Sequence, residues 1–143
     1  MTTQTRIEEL TVTALARSSE VAPHVVRYYA RIGLLLPKRD SNNGYKLFAQ
    51  SDVARLRFIR KAKRLGYTLG EIAKILNHAS HGESPCPMVR DIIGKRIDEN
   101  RRKLDELLEL QNRMEHALSD WGERPDQLPD GDRVCHLIES VVD

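Results

Sequence analysis

The chain has 143 residues, enough for one domain of ordinary size or a small domain with an appendage. With aromatics at 5% and charged residues at 31%, it suits helices around one modest core and excludes a β-sandwich. No apolar run reaches the roughly 18 residues of a membrane span, and MTTQTRIEEL lacks the charged-then-apolar order of a signal peptide. The sequence therefore reads as a cytoplasmic protein with no membrane partner, whose two cysteines are reduced thiols rather than a structural disulfide. The net charge of +2 conceals an asymmetry: residues 1–77 carry 14 Lys/Arg against 6 Asp/Glu, and residues 78–143 carry 9 against 15. A basic half joined to an acidic half points to a polyanion, nucleic acid, as partner of the first half alone.

In chain order, residues 1–10 read as a tail. Thr11 or Thr13 then caps a short helix with Val12, Leu15 and Ala16 on one face. Ser18-Ser19-Glu20 reads as a turn. Pro23 suits the first turn of a second helix, where its missing N–H costs nothing, and Gly33 ends it. Two short helices across a tight turn make a helix-turn-helix candidate. Asn43-Gly44, centred between Leu34 and Phe48, is a hairpin signal. A hairpin in that place is a wing. Ser51-Asp52 caps a third helix with Val53, Leu56, Ile59 and Leu65 inward, closed by Gly66. Thr68 and Glu71 form a capping box for a fourth, TLGEIAKIL, and HASHGESP reads as a loop.

From about Pro87 to Leu118 nothing stops a helix. Ile93, Ile97, Asn100, Leu104, Leu107, Gln111, Met114 and Leu118 recur in alternating steps of four and three. That is a coiled-coil seam, and so narrow a stripe needs a partner helix, most simply its own copy. Asn100 and Gln111 are polar seam residues of the kind that fix register. A Pro/Gly/Asp-rich loop follows Trp121, and Val134 to Val142 closes the chain as a short helix. The fold expected is all-α dominated, with a β-hairpin wing. Residues 11–80 make a winged helix-turn-helix unit, 81–119 a linker and dimerisation helix, and 120–143 a loop and C-terminal helix.

The second helix offers His24, Arg27, Tyr28 and Arg31 on its polar face, the helix that should enter a major groove. The wing offers Asn43, Tyr45 and Lys46, and the third helix Arg57, Arg60 and Lys61. Arg, Lys and Tyr at such places hold phosphates, which orients the module and makes binding salt-dependent. Arg31, Arg55 and Lys74 read as solvated surface charges. No His-Glu-x-x-His, Gly-rich phosphate loop or Ser/His/Asp set points to an enzyme.

The run from Arg27 to Leu76, RYYARIGLLLPKRDSNNGYKLFAQSDVARLRFIRKAKRLGYTLGEIAKIL, resembles the DNA-binding domain of MerR-family transcription regulators. The shared features are the Arg-Tyr-Tyr stretch ending in Gly-Leu, the Asn-Gly-Tyr wing, the Asp-Val-x-x-Leu-x-Phe-Ile helix and the Gly-Tyr-Thr-Leu-x-Glu-Ile start. Ala30, Lys46 and Phe48 stand where that family usually has Glu, Arg and Tyr. The resemblance covers roughly residues 11–77 and continues into the long helix. It implies a homodimer on double-stranded promoter DNA, held by antiparallel coiled-coil helices. Effector binding would bend and untwist the operator so that RNA polymerase can use the promoter, a switch built on DNA deformation energy.

The two thiols raise the effector question. Stepping back along the seam from Ile93 through Arg90 reaches Cys86, at the helix start and on the face that meets the other subunit. The resemblance adds that a cysteine there marks the branch sensing divalent ions. The partner's C-terminal loop, bracketed by two cysteines, would complete that site. Cys135 resembles the second of these; Ser119-Asp120-Trp121 stands where the first is expected. Cys86 and Cys135 from opposite chains would give two thiolates, with His136, His81 or an Asp of the loop as a third ligand. Such mixed sets suit zinc, cadmium or lead, and two thiolates alone could hold mercury. The competing reading is a thiol-redox or electrophile sensor that uses Cys86 and Cys135 without metal.

Overall fold

A computed structural model describes residues 9–142. Among them the chain is mostly helical, with one two-stranded hairpin. The described residues fall into two compact units that divide between Arg90 and Asp91.

In the first unit α1 spans Val12–Ser19, and Thr11 is its cap: the Thr11 hydroxyl accepts from the Ala14 N–H at 3.2 Å. The expected turn at Ser18-Ser19-Glu20 begins later. Ser18 and Ser19 are helical, and Glu20 alone turns the chain, at φ 58. The reason is burial: Ser19 lies against the core, which holds the last turn in the helix. Helix α2 spans Pro23–Arg31 with Pro23 in its first turn, and Gly33 follows at φ 85, a left-handed angle that glycine adopts without strain.

Strands β1 (Lys38–Arg39) and β2 (Lys46–Leu47) pair antiparallel, Lys38 opposite Leu47 and Arg39 opposite Lys46. The connection is wider than a two-residue turn. Asp40 donates its N–H to the Tyr45 carbonyl at 2.8 Å and accepts the Gly44 N–H on its own carbonyl at 2.9 Å. Gly44 takes φ 71 there. A further rung joins Leu10 to Phe48 through two backbone bonds of 2.7 Å, so the last residue assigned to the tail is paired to the wing.

Helix α3 spans Ser51–Arg64 and α4 spans Leu69–Ser80. At the start of α3 the Asp52 carboxylate reaches back to accept the Ala49 N–H at 3.0 Å, while Ser51 makes no cap. Val53, Leu56 and Ile59 face inward as expected, but Leu65 does not: it is 63% exposed. The helix ends at Arg64, and the Leu65–Gly66 bend turns that side chain out, leaving Ala62 to complete the buried stripe. The Thr68–Glu71 capping box forms with both of its bonds. Helix α4 runs through His78, Ala79 and Ser80, which the sequence placed in the loop. With no Pro or Gly before Gly82, the ladder has nothing to stop it. One core collects side chains from six segments: Leu15, Val26, Leu35, Phe48, Leu56, Ile59 and Ile72, all but fully buried. Burial of each is worth roughly 1.5–3 kcal/mol, which holds the helix-turn-helix and the wing in one unit.

Helix α5 spans Cys86–Trp121, and none of its residues is buried. The seam positions Ile97, Leu104, Leu107, Met114 and Leu118 are exposed, as a stripe awaiting a partner helix would be. The terminal helix is shorter than the apolar pattern indicated. Helix α6 is confined to His136–Glu139, and Val134 and Val141 fall outside it. Val134, Ile138 and Val141 remain exposed, so no packed face extends the helix in either direction. Among the described residues no helix is long and apolar enough to cross a membrane.

Candidate nucleic-acid interface and thiol sites

On α2, burial of Val26 and Tyr29 turns His24, Arg27, Tyr28 and Arg31 to the outer face, and all four are exposed. The Arg31 guanidinium lies 5.2 Å from the centre of the Tyr28 ring, within range of a cation–π contact. Arg31 is thus tied to the Tyr28 surface rather than merely solvated. The Tyr28 and Tyr29 rings meet at 5.9 Å. Burial, and secondarily the neighbouring Tyr28, pushes the Tyr29 phenol above its ordinary range, so it stays a neutral hydroxyl.

On the wing, the Asn43 side-chain oxygen accepts the Tyr45 N–H at 3.0 Å, and the Asp40 carboxylate accepts the Asn42 N–H at 2.8 Å. These bonds replace a tight turn and give the loop a fixed shape. Asn43 therefore shapes the loop with its oxygen and leaves its amide N–H groups available. Tyr45 projects freely, while Lys46 is half-buried beside the hairpin partner Arg39.

The third helix holds a different arrangement from the expected row of surface cations. Arg60 is half-buried and donates to the Ser19 carbonyl at 2.9 Å, at the end of α1. Arg55 is no solvated charge: its Nε donates to the Leu34 carbonyl at 2.8 Å and braces the segment after α2. Helix carbonyls and loop carbonyls near a core need donors, and an arginine one turn from the buried stripe can reach them. Arg57, Arg60, Lys61 and Arg64 line a cleft of about 220 Å³ together with Glu20. Arg64 was not singled out in the sequence, although its i, i+3, i+4, i+7 relation to Arg57, Arg60 and Lys61 puts it on their face.

The thiols lie in different units. Cys86 opens α5 and is exposed; its N–H reaches the Ser84 hydroxyl at 3.4 Å. Cys135 is half-buried at the start of α6, in extended backbone, and neither cysteine forms a disulfide. Cys135 lines a cleft of about 200 Å³ with Pro125, Asp126, Gln127, Val134, His136 and Leu137. His136 places Nε2 3.4 Å from the Leu128 carbonyl. His81 places Nδ1 2.7 Å from the Asn77 carbonyl. His78 is bonded through Nδ1 to the Lys74 carbonyl and lies 3.8 Å from Glu83. Among the described residues no three His, Cys, Asp or Glu side chains of one chain gather to hold a metal.

Comparison with known proteins agrees with this arrangement. A family described as "MerR HTH family regulatory protein" matches residues 10–79, and one described as "MerR, DNA binding" matches residues 53–117. The mercuric resistance operon regulatory protein of Bacillus cereus is 33% identical over 130 residues, covering 90% of this chain and 93% of that protein. The HTH-type transcriptional regulator ZntR of Escherichia coli is 30% identical over 102 residues, covering 71% of this chain and 72% of that protein. Among solved structures, the transcription regulator PbrR691 of Ralstonia metallidurans in complex with lead(II) superposes with a TM-score of 0.71 at 25% identity. It covers 92% of this chain and 98% of that one. A basic winged helix-turn-helix, a long helix behind it and these relatives lead to one assignment: the chain belongs to the MerR family of DNA-binding transcriptional regulators and is not an enzyme.

Proposed function

We propose that this regulator binds promoter DNA as a homodimer and activates transcription by distorting that DNA when a soft divalent metal ion occupies a site shared between the subunits. Zinc, cadmium, lead and mercury are the metals whose chemistry fits the donors. The observation that carries the reading is the placement of Cys86: an exposed thiol on the first turn of a helix whose apolar seam is itself exposed. Cys86 of one protomer and Cys135 of the partner subunit would hold the ion, with His136 or His81 offering a third donor. A bound ion would supply a strong link between two chains at this point. The chain's own part is to present sulfur and imidazole donors and to keep α5 in register. The mercury and lead named in the relatives support the metal class without selecting a metal.

DNA contact in this reading falls to His24, Arg27 and Tyr28 on α2, to Asn43, Tyr45 and Lys46 on the wing, and to Arg60 beside α1. Opening of the promoter to RNA polymerase follows from distortion of the DNA.

The test is metal content after purification without chelator, paired with Cys86→Ser and Cys135→Ser. The wild type is expected to retain about one ion per shared site and each variant to lose it. If wild type and variants bind zinc, cadmium, lead and mercury no better than a simple thiol peptide, the metal reading fails. A wild type that binds no metal but forms a reversible Cys86–Cys135 disulfide on oxidation would put the thiol-redox reading in its place.

A further inference from the structure

The first turn of α5 carries Cys86 and is also held from outside the helix. The Tyr67 hydroxyl donates to the Val89 carbonyl at 2.8 Å, across 22 positions of sequence. Tyr67 is only 4% exposed, and its place is fixed from both sides. Its N–H donates to the Ala62 carbonyl at 3.1 Å, closing the end of α3. The next residue, Thr68, is the cap of α4, locked by its reciprocal bonds with Glu71. The turn it reaches is equally defined, since Val89 donates its N–H to Pro85 at 2.9 Å. One phenol thus links the α3–α4 junction, which carries the basic cleft on α3, to the turn that begins with Cys86.

We propose that Tyr67 is a positioning residue for the switch: its hydroxyl sets where the first turn of α5 sits against the α3–α4 junction, and so couples events at Cys86 to the DNA-binding helices. Tyr67 touches neither DNA nor effector in this role. The inference deepens the regulatory reading and rests on its claim that the Cys86 turn responds to an effector. The physical basis is the short range of the bond. At 2.8 Å it is well formed, and an ångström of displacement would abolish it. A second position of the turn would therefore differ by one part-buried hydrogen bond, with the ring packing common to both. A phenylalanine would keep the packing and lose the difference. A bond of this kind biases a two-position equilibrium by about 2- to 10-fold.

Because coupling is reciprocal, it can be read without metal. The experiment follows the rate of Cys86 alkylation by N-ethylmaleimide in the full chain carrying Cys135→Ser, with and without a duplex selected by the wild-type chain from a random pool. With Tyr67 present, DNA is expected to change the rate by about 2- to 10-fold, and Tyr67→Phe is expected to abolish most of that change. Circular dichroism and affinity for the selected duplex in the absence of effector are expected to stay within about 2-fold of the parent. An equal DNA-dependent change in the two chains overturns the proposal, as does a rate indifferent to DNA in the chain that has Tyr67. A second arm titrates mercuric ion, with both cysteines present, against promoter distortion. A shifted midpoint for Tyr67→Phe agrees with the coupling and an unmoved one counts against it. If the wild type gives no metal response at all, the metal reading fails while the alkylation arm still decides on Tyr67.

Discussion

Arg60 on α3 donates to the carbonyl of Ser19 at the end of α1, a 2.9 Å bond joining residues 41 positions apart. A residue that the sequence offers as a phosphate contact is thereby also a clamp on the fold. Arg60→Ala is expected to lower stability by about 1–2 kcal/mol, since it orphans a part-buried helix carbonyl that a charged donor had satisfied. Urea unfolding followed by circular dichroism checks this. An unchanged midpoint would return Arg60 to a purely surface role.

Among the described residues Arg27 has no such internal duty; it is exposed on the outer face of α2. Arg27→Ala is expected to leave unfolding untouched and to weaken binding to all duplexes alike. The slope of log affinity against log salt should flatten by about one unit if the guanidinium meets one phosphate. Loss confined to particular base pairs would instead identify Arg27 as a base reader.

The capping box at the start of α4 carries a measurable share of stability. The Thr68 hydroxyl accepts the Glu71 N–H at 3.1 Å, and Glu71 accepts the Thr68 N–H at 2.8 Å. Thr68→Ala is expected to cost about 1 kcal/mol, seen as a lower denaturation midpoint, and Thr68→Ser to recover most of it.

The exposed stripe on α5 predicts self-association. Leu104 and Leu107 are each 60% exposed, more than a helix facing only water would have reason to keep. Leu104→Glu together with Leu107→Glu is expected to shift the sedimentation coefficient from dimer to monomer. The helical content of residues 9–80 should survive, because their core is separate. A variant that still sediments as a dimer would place the subunit contact elsewhere.

Much of this was legible in the sequence because the signals were local. Thr68 and Glu71 stand three apart, Pro23 opens a helix and Gly33 closes one, and each acts through its immediate neighbours. The errors share a cause as well. Leu65 belongs to the apolar period of α3, yet the helix stops one residue short and the bend carries it outward. Val134 and Val141 fit the period of a helix that no packing surface extends, and α6 remains one turn. His78 to Ser80 look like loop residues, but their intrinsic reluctance is small and nothing breaks the ladder before Gly82. The site followed the same rule. His24, Arg27 and Tyr28 could be placed on one face by counting along α2. The partners of Arg55, Arg60 and Tyr67 lie 21, 41 and 22 residues away, and only the fold brings them together. Aromatic and arginine side chains at the ends of buried stripes are the signal to look for, although it does not say which carbonyl they will find.

The Leu10–Phe48 rung has a mechanical consequence. Two 2.7 Å backbone bonds fasten the entering chain to the residue that follows the wing's second strand. Tension applied ahead of Leu10, by a fused domain or a surface tether, would load the wing before it reached any helix. The rung then stands first in series under that load, and peeling it would release the entering chain from the wing. Attachment at the amino end is therefore a handle on the wing itself, and a tethered binding assay would feel the pull through the grip of the hairpin on DNA.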